Sequence, residues 1–280
     1  MPVLLIMNSP KTNKELAFLN ELFVATDWGE RFAELIDEHV ALPKEGLALY
    51  LASGTGGHAI ALQERSGDDL KLLGIDENEE SVELARAKAT ALKDATEFRQ
   101  GSIDRLTLPD NSFVGVVGDG SLVHIERIRA MLAEMTRVAL PGATVALTVP
   151  TFSSFGEFFS IYWEALYNLG LADHEAGVEK LISTLPSVSA IEEMAEQVGL
   201  DEVTSWTRIE EVDYESGEQF LNSPLVAEFL IPIWLETVPK DSLEPVVKEI
   251  GRLINEERHE AEFALSVKAT LVVGKKALIQ

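Results

Sequence analysis

Leu49-Tyr50-Leu51-Ala52-Ser53-Gly54-Thr55-Gly56-Gly57-His58-Ala59 decides the fold. The stretch starts in a short apolar run, Leu47 to Leu51, and passes through the small-residue turn Ala52 to Gly57 into a helical pattern, His58 to roughly Arg65. A strand, a glycine turn and a helix in that order form a nucleotide-type site. The glycines let the backbone approach a ligand closely, and the helix start offers free N–H groups. A second apolar run, Leu70 to Ile75, ends at Asp76, which follows Gly54 by 22 residues. An acid at the end of the next strand, at that distance, can accept hydrogen bonds from both hydroxyls of a ribose. A lone glycine turn would say little; the turn, the acid and their strand context together say more.

Working outward, the strand–helix alternation continues. The spacing of Val82, Leu84, Ala85, Ala89 and Leu92 predicts a helix over about 79–93, and Thr96 to Gln100 reads as a third strand. Phe113 to Val117 is a fourth strand, residues 125–139 are helical, and Pro141-Gly142 is expected to turn the chain into a fifth strand, Thr144 to Val149. Upstream, residues 12–42 carry helical spacing in Leu16, Leu19, Leu22 and Phe23, then Phe32, Leu35 and Ile36. Such alternation implies right-handed crossovers and a mostly parallel sheet. After Pro150 the pattern changes to longer helices crowded with Phe152, Phe155, Phe158, Phe159, Tyr162 and Trp163. A helix near 190–198, a strand over 202–212, a helical region over 217–258 and a last strand from Phe263 to Val273 complete the chain. No internal repeat or low-complexity linker intervenes. The expected organisation is one elaborated domain over 1–280. It has N-terminal helices at 12–44, a ligand-binding core at 45–150, helical insertions at 151–186 and 214–258, and the rest of the core at 187–213 and 259–280.

Composition limits the function classes. Forty-seven acids against 23 bases give a net charge of −24, which repels a phosphate backbone. The densest basic spots, Lys275-Lys276 and Arg127-Ile128-Arg129, make no patch, so nucleic acid is not the expected partner. There is no cysteine, which removes disulfides, thiolate metal sites and cysteine nucleophiles. His39, His58, His174 and His259 are scattered without metal-ligand spacing, and no metal is expected. The apolar start, Met1 to Met7, is short and lacks a preceding basic region, so it does not read as a signal peptide. No apolar run approaches the roughly 20 residues that cross a bilayer. A cytoplasmic protein is the expectation.

The stretch around Gly54 resembles motif I of the class I S-adenosylmethionine-dependent methyltransferases, whose usual form is D-x-G-x-G-x-G. Gly74-Ile75-Asp76-Glu77-Asn78 followed by Ala85-Arg86 resembles their ribose-binding segment. Gln100-Gly101-Ser102-Ile103-Asp104 and Leu108-Pro109-Asp110-Asn111-Ser112-Phe113 resemble the adenine-binding turn and its run into the fourth strand, and Leu140-Pro141-Gly142-Ala143 the loop before the fifth. The matches lie in order over about residues 45–150 and are nearest to the ubiquinone/menaquinone-biosynthesis-like subgroup, which acts on small molecules. The resemblance implies an α/β, Rossmann-like fold: a mostly parallel seven-stranded sheet, helices on both faces and helical insertions forming a lid.

By resemblance, Ala52, Ser53, Gly54, Thr55 and Gly56 cradle the methionine and ribose portions of S-adenosylmethionine, with Asp76 on the ribose hydroxyls. Glu77 lies beside the adenine edge, Ser102 and Ile103 frame the ring, and Gly118 and Asp119 face the sulfonium. Four positions depart from the family. Tyr50 replaces the leading acid and Ala52 the first glycine; Ser102 and Val114 stand where Asp is frequent. Tyr50 brings a hydroxyl that can donate or accept but no charge for the cofactor ammonium, a task Asp119 can take. Ala52 is tolerable with φ below zero.

Methyl transfer is a displacement at a sulfonium carbon, so positioning supplies much of the rate. His124 is the residue to serve as general base where the acceptor must lose a proton. Trp28 and Arg31 resemble the N-terminal helix that closes over the cofactor. The aromatics from Phe152 to Trp163 read either as the wall of an acceptor pocket or as the core of the inserted helices. Val226 to Leu235 reads as a second wall or as a homodimer surface. The leading expectation is methyl transfer to a small, largely apolar acceptor. A non-catalytic binding or scaffold protein on the same fold is the alternative. A nicotinamide-dependent oxidoreductase, whose G-x-G-x-x-G spacing is missing here, comes third.

Overall fold

Strand β1 (Gly46–Leu51) is buried along its last four residues. A near-continuous apolar run is what a parallel strand covered on both faces requires. In the computed structural model, which describes residues 11–257 and 263–278, β1 pairs in parallel with β2 (Leu70–Asp76) on one side and β4 (Phe113–Asp119) on the other. The Met1–Met7 start and His259 lie outside the described residues. With β3 (Glu97–Gln100), β5 (Ala139–Pro150), β6 (Leu200–Tyr214) and β7 (Phe263–Lys276), the strands form one seven-stranded sheet in the order β3-β2-β1-β4-β5-β7-β6. β7 runs antiparallel to β5, whereas β1 to β5 are mutually parallel. The order reverses between β1 and β4. In open α/β sheets the crevice at such a point, beyond the carboxyl ends of the strands, is where ligands bind.

The helices follow the expected alternation: α3 (Gly57–Ser66), α4 (Glu79–Leu92) and α5 (Ile125–Val138) each link consecutive strands. On α5, Ile128, Met131, Leu132, Met135 and Val138 recur at helical spacing and are fully buried against Leu49, Leu51, Val116 and Leu147 of the sheet. Ile191 and Ala195 of α8 (Val188–Gln197) join the same core. The N-terminal region is helical throughout but not uniformly α. α1 (Asn13–Leu19) opens on a capping box between Thr12 and Glu15, a π-helical segment covers Asn20–Gly29, and α2 (Glu30–His39) follows.

β6 and β7 run past the ranges 202–212 and 263–273 read in the sequence, and β4 and β5 differ as well. β4 extends two residues further, because Gly118 and Asp119 pair with Leu147 and Thr148 of β5. Pro141-Gly142 does not precede the fifth strand but lies within it. Ala139 already pairs with Phe113, and the register then jumps to Gly115 opposite Thr144, so the extra residues bulge out with Gly142 at φ +78°.

The chain falls into two compact units. The larger comprises Thr12–Pro150, Ser187–Arg208 and Ala269–Gln280 and holds β1 to β5. The smaller takes in Thr151–Pro186 and Ile209–Lys268, and so includes the segments read as insertions. In the smaller unit α6 (Gly156–Asn168) and α7 (Glu175–Thr184) precede α9 (Gly217–Asn222), a π-helical turn at Leu225–Leu230, α10 (Ile231–Trp234) and α11 (Lys240–Glu257). Its centre is aromatic: Phe158 stacks on Trp234 at 4.2 Å between ring centroids and also meets Phe159, Tyr162 and Phe220. Phe155, Phe158, Phe159 and Tyr162 are buried, whereas Phe152 is half exposed. The cluster is therefore packed core of the inserted helices. Val226, Leu230, Ile231, Trp234 and Leu235 are buried as well.

Candidate functional site

The turn after β1 is held from below by β2. Ser53 N–H donates to the carbonyl of Ile75 at 3.1 Å, and Gly54 N–H donates to Oδ2 of Asp76 at 2.8 Å. Gly56 N–H closes the turn on the Ser53 carbonyl at 2.9 Å. Gly54 and Gly56 have φ of +53° and +81°. A Cβ on Gly56 would come within 2.8 Å of the Phe98 ring and the Ala85 methyl, so only glycine lets α3 start this close to α4 and β3. Ala52 adopts φ +53° as well, contrary to the negative φ expected of it. The turn demands a left-handed residue at that point, and alanine meets the demand at a cost of roughly 1–2 kcal/mol. The cost falls at the position of the family pattern's first glycine.

Asp76 is half-buried, and both oxygens already accept one backbone N–H, Oδ2 from Gly54 and Oδ1 from Asn78 at 2.9 Å. Each carboxylate oxygen keeps capacity for a second donor. Burial pushes its pKa up, the two amides pull it down, and the nearby Glu77 and Asp119 push it up again. Ser53 Oγ is buried and has no hydrogen-bond partner. Buried polar atoms are seldom left so, and an orphan hydroxyl within the turn marks a place for a ligand atom.

Asp119, at the end of β4, is half-buried and, among the described residues, accepts from neutral groups: Ser121 N–H at 2.9 Å, the Ser121 hydroxyl, and Thr148 Oγ1 at 3.2 Å. Burial raises its pKa, while those donors and the field of His58 oppose the rise. Gly118, just before it, points its missing Cβ at the Met131 and Met135 side chains of α5, with the nearest atom at 2.8 Å. A larger residue there would have to push those flexible methionine ends aside.

Tyr50 is buried on β1, and its hydroxyl lies 2.9 Å from Nδ1 of His58 on the first turn of α3. Nε2 of His58 is 2.7 Å from Oδ1 of Asp37 on α2, and Arg65 grips both oxygens of that carboxylate. Burial would raise Asp37, but the hydrogen bonds from His58 and Arg65 outweigh it and hold the carboxyl at about 2. Burial, then the fields of Asp119 and Asp37, push Tyr50 well above the usual phenol range. The residue in place of the motif acid is thus the head of a Tyr50–His58–Asp37–Arg65 chain.

Arg127, on α5, gathers the residues expected at the nucleoside. It donates to both oxygens of Glu77 at 2.8 and 2.7 Å, and to Asp104 at 2.7 Å. Ser102 Oγ also donates to Asp104 at 2.7 Å, and Ile103 N–H points to Glu77 at 3.4 Å. The hydrogen bond from Arg127 is the largest influence on both acids, lowering Glu77 and, with Ser102, holding Asp104 at about 2. The side chains of Glu77 and Ser102 are therefore engaged within the protein, and Ile103 is the buried apolar member of the group.

Glu21 of the π-helical segment bonds the buried Thr55 hydroxyl and pairs with Lys88 at 2.7 Å, so the N-terminal region does reach the turn. The contact is made by Glu21; Trp28 packs on Phe32, and Arg31 pairs with Asp27 at 2.9 Å. His124 is the N-cap of α5, with Nδ1 accepting from Glu126 N–H at 3.4 Å. His58, Asp37, Glu21 and Arg127 are the neighbours that the sequence reading did not place in the site. A histidine four residues past Gly54 was a visible signal; Asp37 and Glu21 carried none.

Among the described residues no group of three or more His, Cys, Asp or Glu side chains is placed to hold a metal ion, and no helix is long and apolar enough to cross a membrane. Comparison with known proteins agrees with the motif order. Residues 48–142 match the family described as "Methyltransferase domain". A demethylmenaquinone methyltransferase of Deinococcus radiodurans is 32% identical over 146 residues, which span 51% of this chain and 59% of that protein. One of Bacillus cereus is 28% identical over 166 residues, 56% of this chain and 70% of that protein. The match thus covers less than two thirds of the Deinococcus relative. The crystal structure of YcgJ from Bacillus subtilis superposes with a TM-score of 0.59 at 17% identity, over 89% of this chain and 99% of that one. That likeness bears on the fold alone.

Proposed function

We propose that this chain is a class I S-adenosylmethionine-dependent methyltransferase that transfers the methyl group of that cofactor to a small, largely apolar acceptor. The observation that carries the reading is Asp119, a half-buried carboxylate beside the strand-order reversal whose hydrogen-bond donors among the described residues are all neutral. A half-buried carboxylate whose hydrogen-bond donors are all neutral is stabilised by a cation that arrives to pair with it. S-adenosylmethionine carries a sulfonium and an ammonium, so its charge fits this site. The anionic pyrophosphate of a nicotinamide cofactor does not.

The residues present fit the remaining parts of the cofactor. Asp76 retains lone pairs for the ribose hydroxyls, Ser53 Oγ is an orphan, and the Ala52–Gly56 turn exposes backbone with left-handed φ. Ile103 offers apolar surface to the adenine, while Arg127 holds Glu77 and Asp104 around it. When bound, the cofactor supplies an electrophilic methyl group. The chain's own contribution is to orient it, to compensate its charge through Asp119 and to exclude water, which suits a displacement that depends on alignment.

The acceptor class rests on the demethylmenaquinone methyltransferases among the relatives, which favour a quinol-like aromatic. The test is transfer of tritiated methyl from S-adenosylmethionine to a short-chain demethylated naphthoquinol. Label in the organic phase supports the reading, and none with any quinol or phenol offered sinks the acceptor class. The non-catalytic reading draws on Tyr50 and Ala52, and measured transfer to any acceptor excludes it.

A further inference from the structure

We propose that His58 and Asp37 are positioning residues that fix Tyr50 as a hydrogen-bond acceptor toward the ammonium group of the cofactor's methionyl arm. The inference rests on the cofactor reading above and concerns how this chain manages without the usual acid at position 50.

The direction of each hydrogen bond follows from the chemistry of the partners. Asp37 already accepts from the Arg65 guanidinium, and hydrogen bonds keep its carboxyl at about 2, so near neutrality it is ionised and can only accept. Nε2 of His58, 2.7 Å from it, therefore carries a hydrogen. In a neutral imidazole the other nitrogen is then bare. The Tyr50 hydroxyl, 2.9 Å from Nδ1, must donate there. Its one proton is spent on His58, and its remaining lone pairs can only accept. An ammonium has three hydrogens to donate and no lone pair, so acceptor polarity is what such a group requires. Asp119, whose field reaches both Tyr50 and His58, adds the negative charge that the phenol lacks.

Protonation of His58 reverses the arrangement. An imidazolium donates from both nitrogens, so Nδ1–H would point at the Tyr50 oxygen and the hydroxyl proton would turn elsewhere. Tyr50 would then present a donor, and a positive charge would lie behind it. Among the described residues, Tyr50 of β1 and Asp37 of α2 bond the ring, Arg65 of its own helix holds Asp37, and the field between the ring and Asp119 of β4 couples them. Acid should therefore weaken binding of the amino-acid arm through Tyr50 and His58, leaving the nucleoside contacts untouched.

Two ligands separate the parts. S-adenosylhomocysteine carries the ammonium; 5′-methylthioadenosine has the same nucleoside and thioether without it. Isothermal titration of the whole protein with each ligand, from about pH 8 down into mild acid, uses wild type, Tyr50→Phe and His58→Gln. Tyr50→Phe is expected to weaken S-adenosylhomocysteine by roughly tenfold to a hundredfold near pH 8, the worth of one hydrogen bond to a charged group. Its binding of methylthioadenosine should match wild type, which also reports that the variant is folded. His58→Gln has an amide that can donate to Asp37 and accept from Tyr50 but cannot become cationic. It is expected to hold S-adenosylhomocysteine near wild-type strength and to lose the acid-dependent weakening. Equal affinity of Tyr50→Phe and wild type for S-adenosylhomocysteine at all pH values overturns the inference. So does a wild-type pH dependence that persists unchanged in His58→Gln. Wild type binding neither ligand overturns the cofactor reading itself, an outcome distinguished because the unmutated protein already fails.

Discussion

The amide of Gly54 donates to Oδ2 of Asp76 at 2.8 Å, joining the glycine turn to the acid at the end of the neighbouring strand. With the Ser53 amide on the Ile75 carbonyl, it fixes the turn against β2 before any ligand arrives. The two features that first pointed to a nucleoside site are thus parts of one hydrogen-bonded unit. The consequences below follow from that unit and its neighbours.

Ala52 stores strain in the turn. Its φ of +53° favours glycine, and its methyl is only partly buried, so little packing would be lost on removal. Ala52→Gly is expected to raise unfolding stability by about 1 kcal/mol, read by urea denaturation. A loss of stability would show that the methyl contributes more to the core than the backbone strain costs.

Much of this was legible in the sequence because it is local. An apolar run, a small-residue turn and a helical pattern are contiguous, and Asp76 falls one strand later at a spacing that the strand–helix–strand geometry sets. The partners of Tyr50 were not legible. Asp37 lies on α2, 21 residues before His58 in sequence, and no periodicity announces that pairing. Glu21 reaches Thr55 across 34 residues for the same reason. Arg127 stood out only as a basic spot, since nothing local says that its guanidinium spans Glu77 and Asp104. The aromatics after Pro150 were ambiguous for another reason. Composition cannot distinguish a pocket wall from a core, and the stacking of Phe158 on Trp234, 76 residues later, settles it as core.

Asp119 should trade stability for binding. Burial raises its folded-state pKa above that of an unfolded aspartate near 3.9. The protonated form is thus the one folding favours. The associated stability is fully present below the unfolded value and is lost as pH rises through the folded one, so ionised Asp119 destabilises the ligand-free protein at neutral pH. Asp119→Asn is expected to raise the neutral-pH Tm and to weaken S-adenosylhomocysteine at least tenfold, one hydrogen-bonded charge pair. A variant with lower Tm and unchanged affinity would assign Asp119 to structure only.

Asp37 behaves in the opposite sense. Its folded pKa of about 2 lies below the unfolded value, so its contribution is present above pH ~3.9 and disappears as pH falls through about 2. Because the site is partly open to solvent, the contribution is discounted to about 1 kcal/mol. Asp37→Asn should be less stable than wild type at pH 7 by that order, with the two acid-unfolding curves converging toward about pH 2. A constant gap over that range would show that the loss is steric.

His124 is used as a helix cap. Asparagine also caps helices, so His124→Asn is expected to fold normally and to transfer methyl within about twofold of the wild-type rate. Loss of a hundredfold or more in kcat with cofactor affinity unchanged, the usual range for removal of a general base, would instead make its Nε2 the base.

Isothermal titration of the wild-type protein with S-adenosylmethionine tests the central claim most directly. One saturable site, competed by S-adenosylhomocysteine and lost in Asp76→Ala, is the predicted result; absence of binding at millimolar ligand would contradict it.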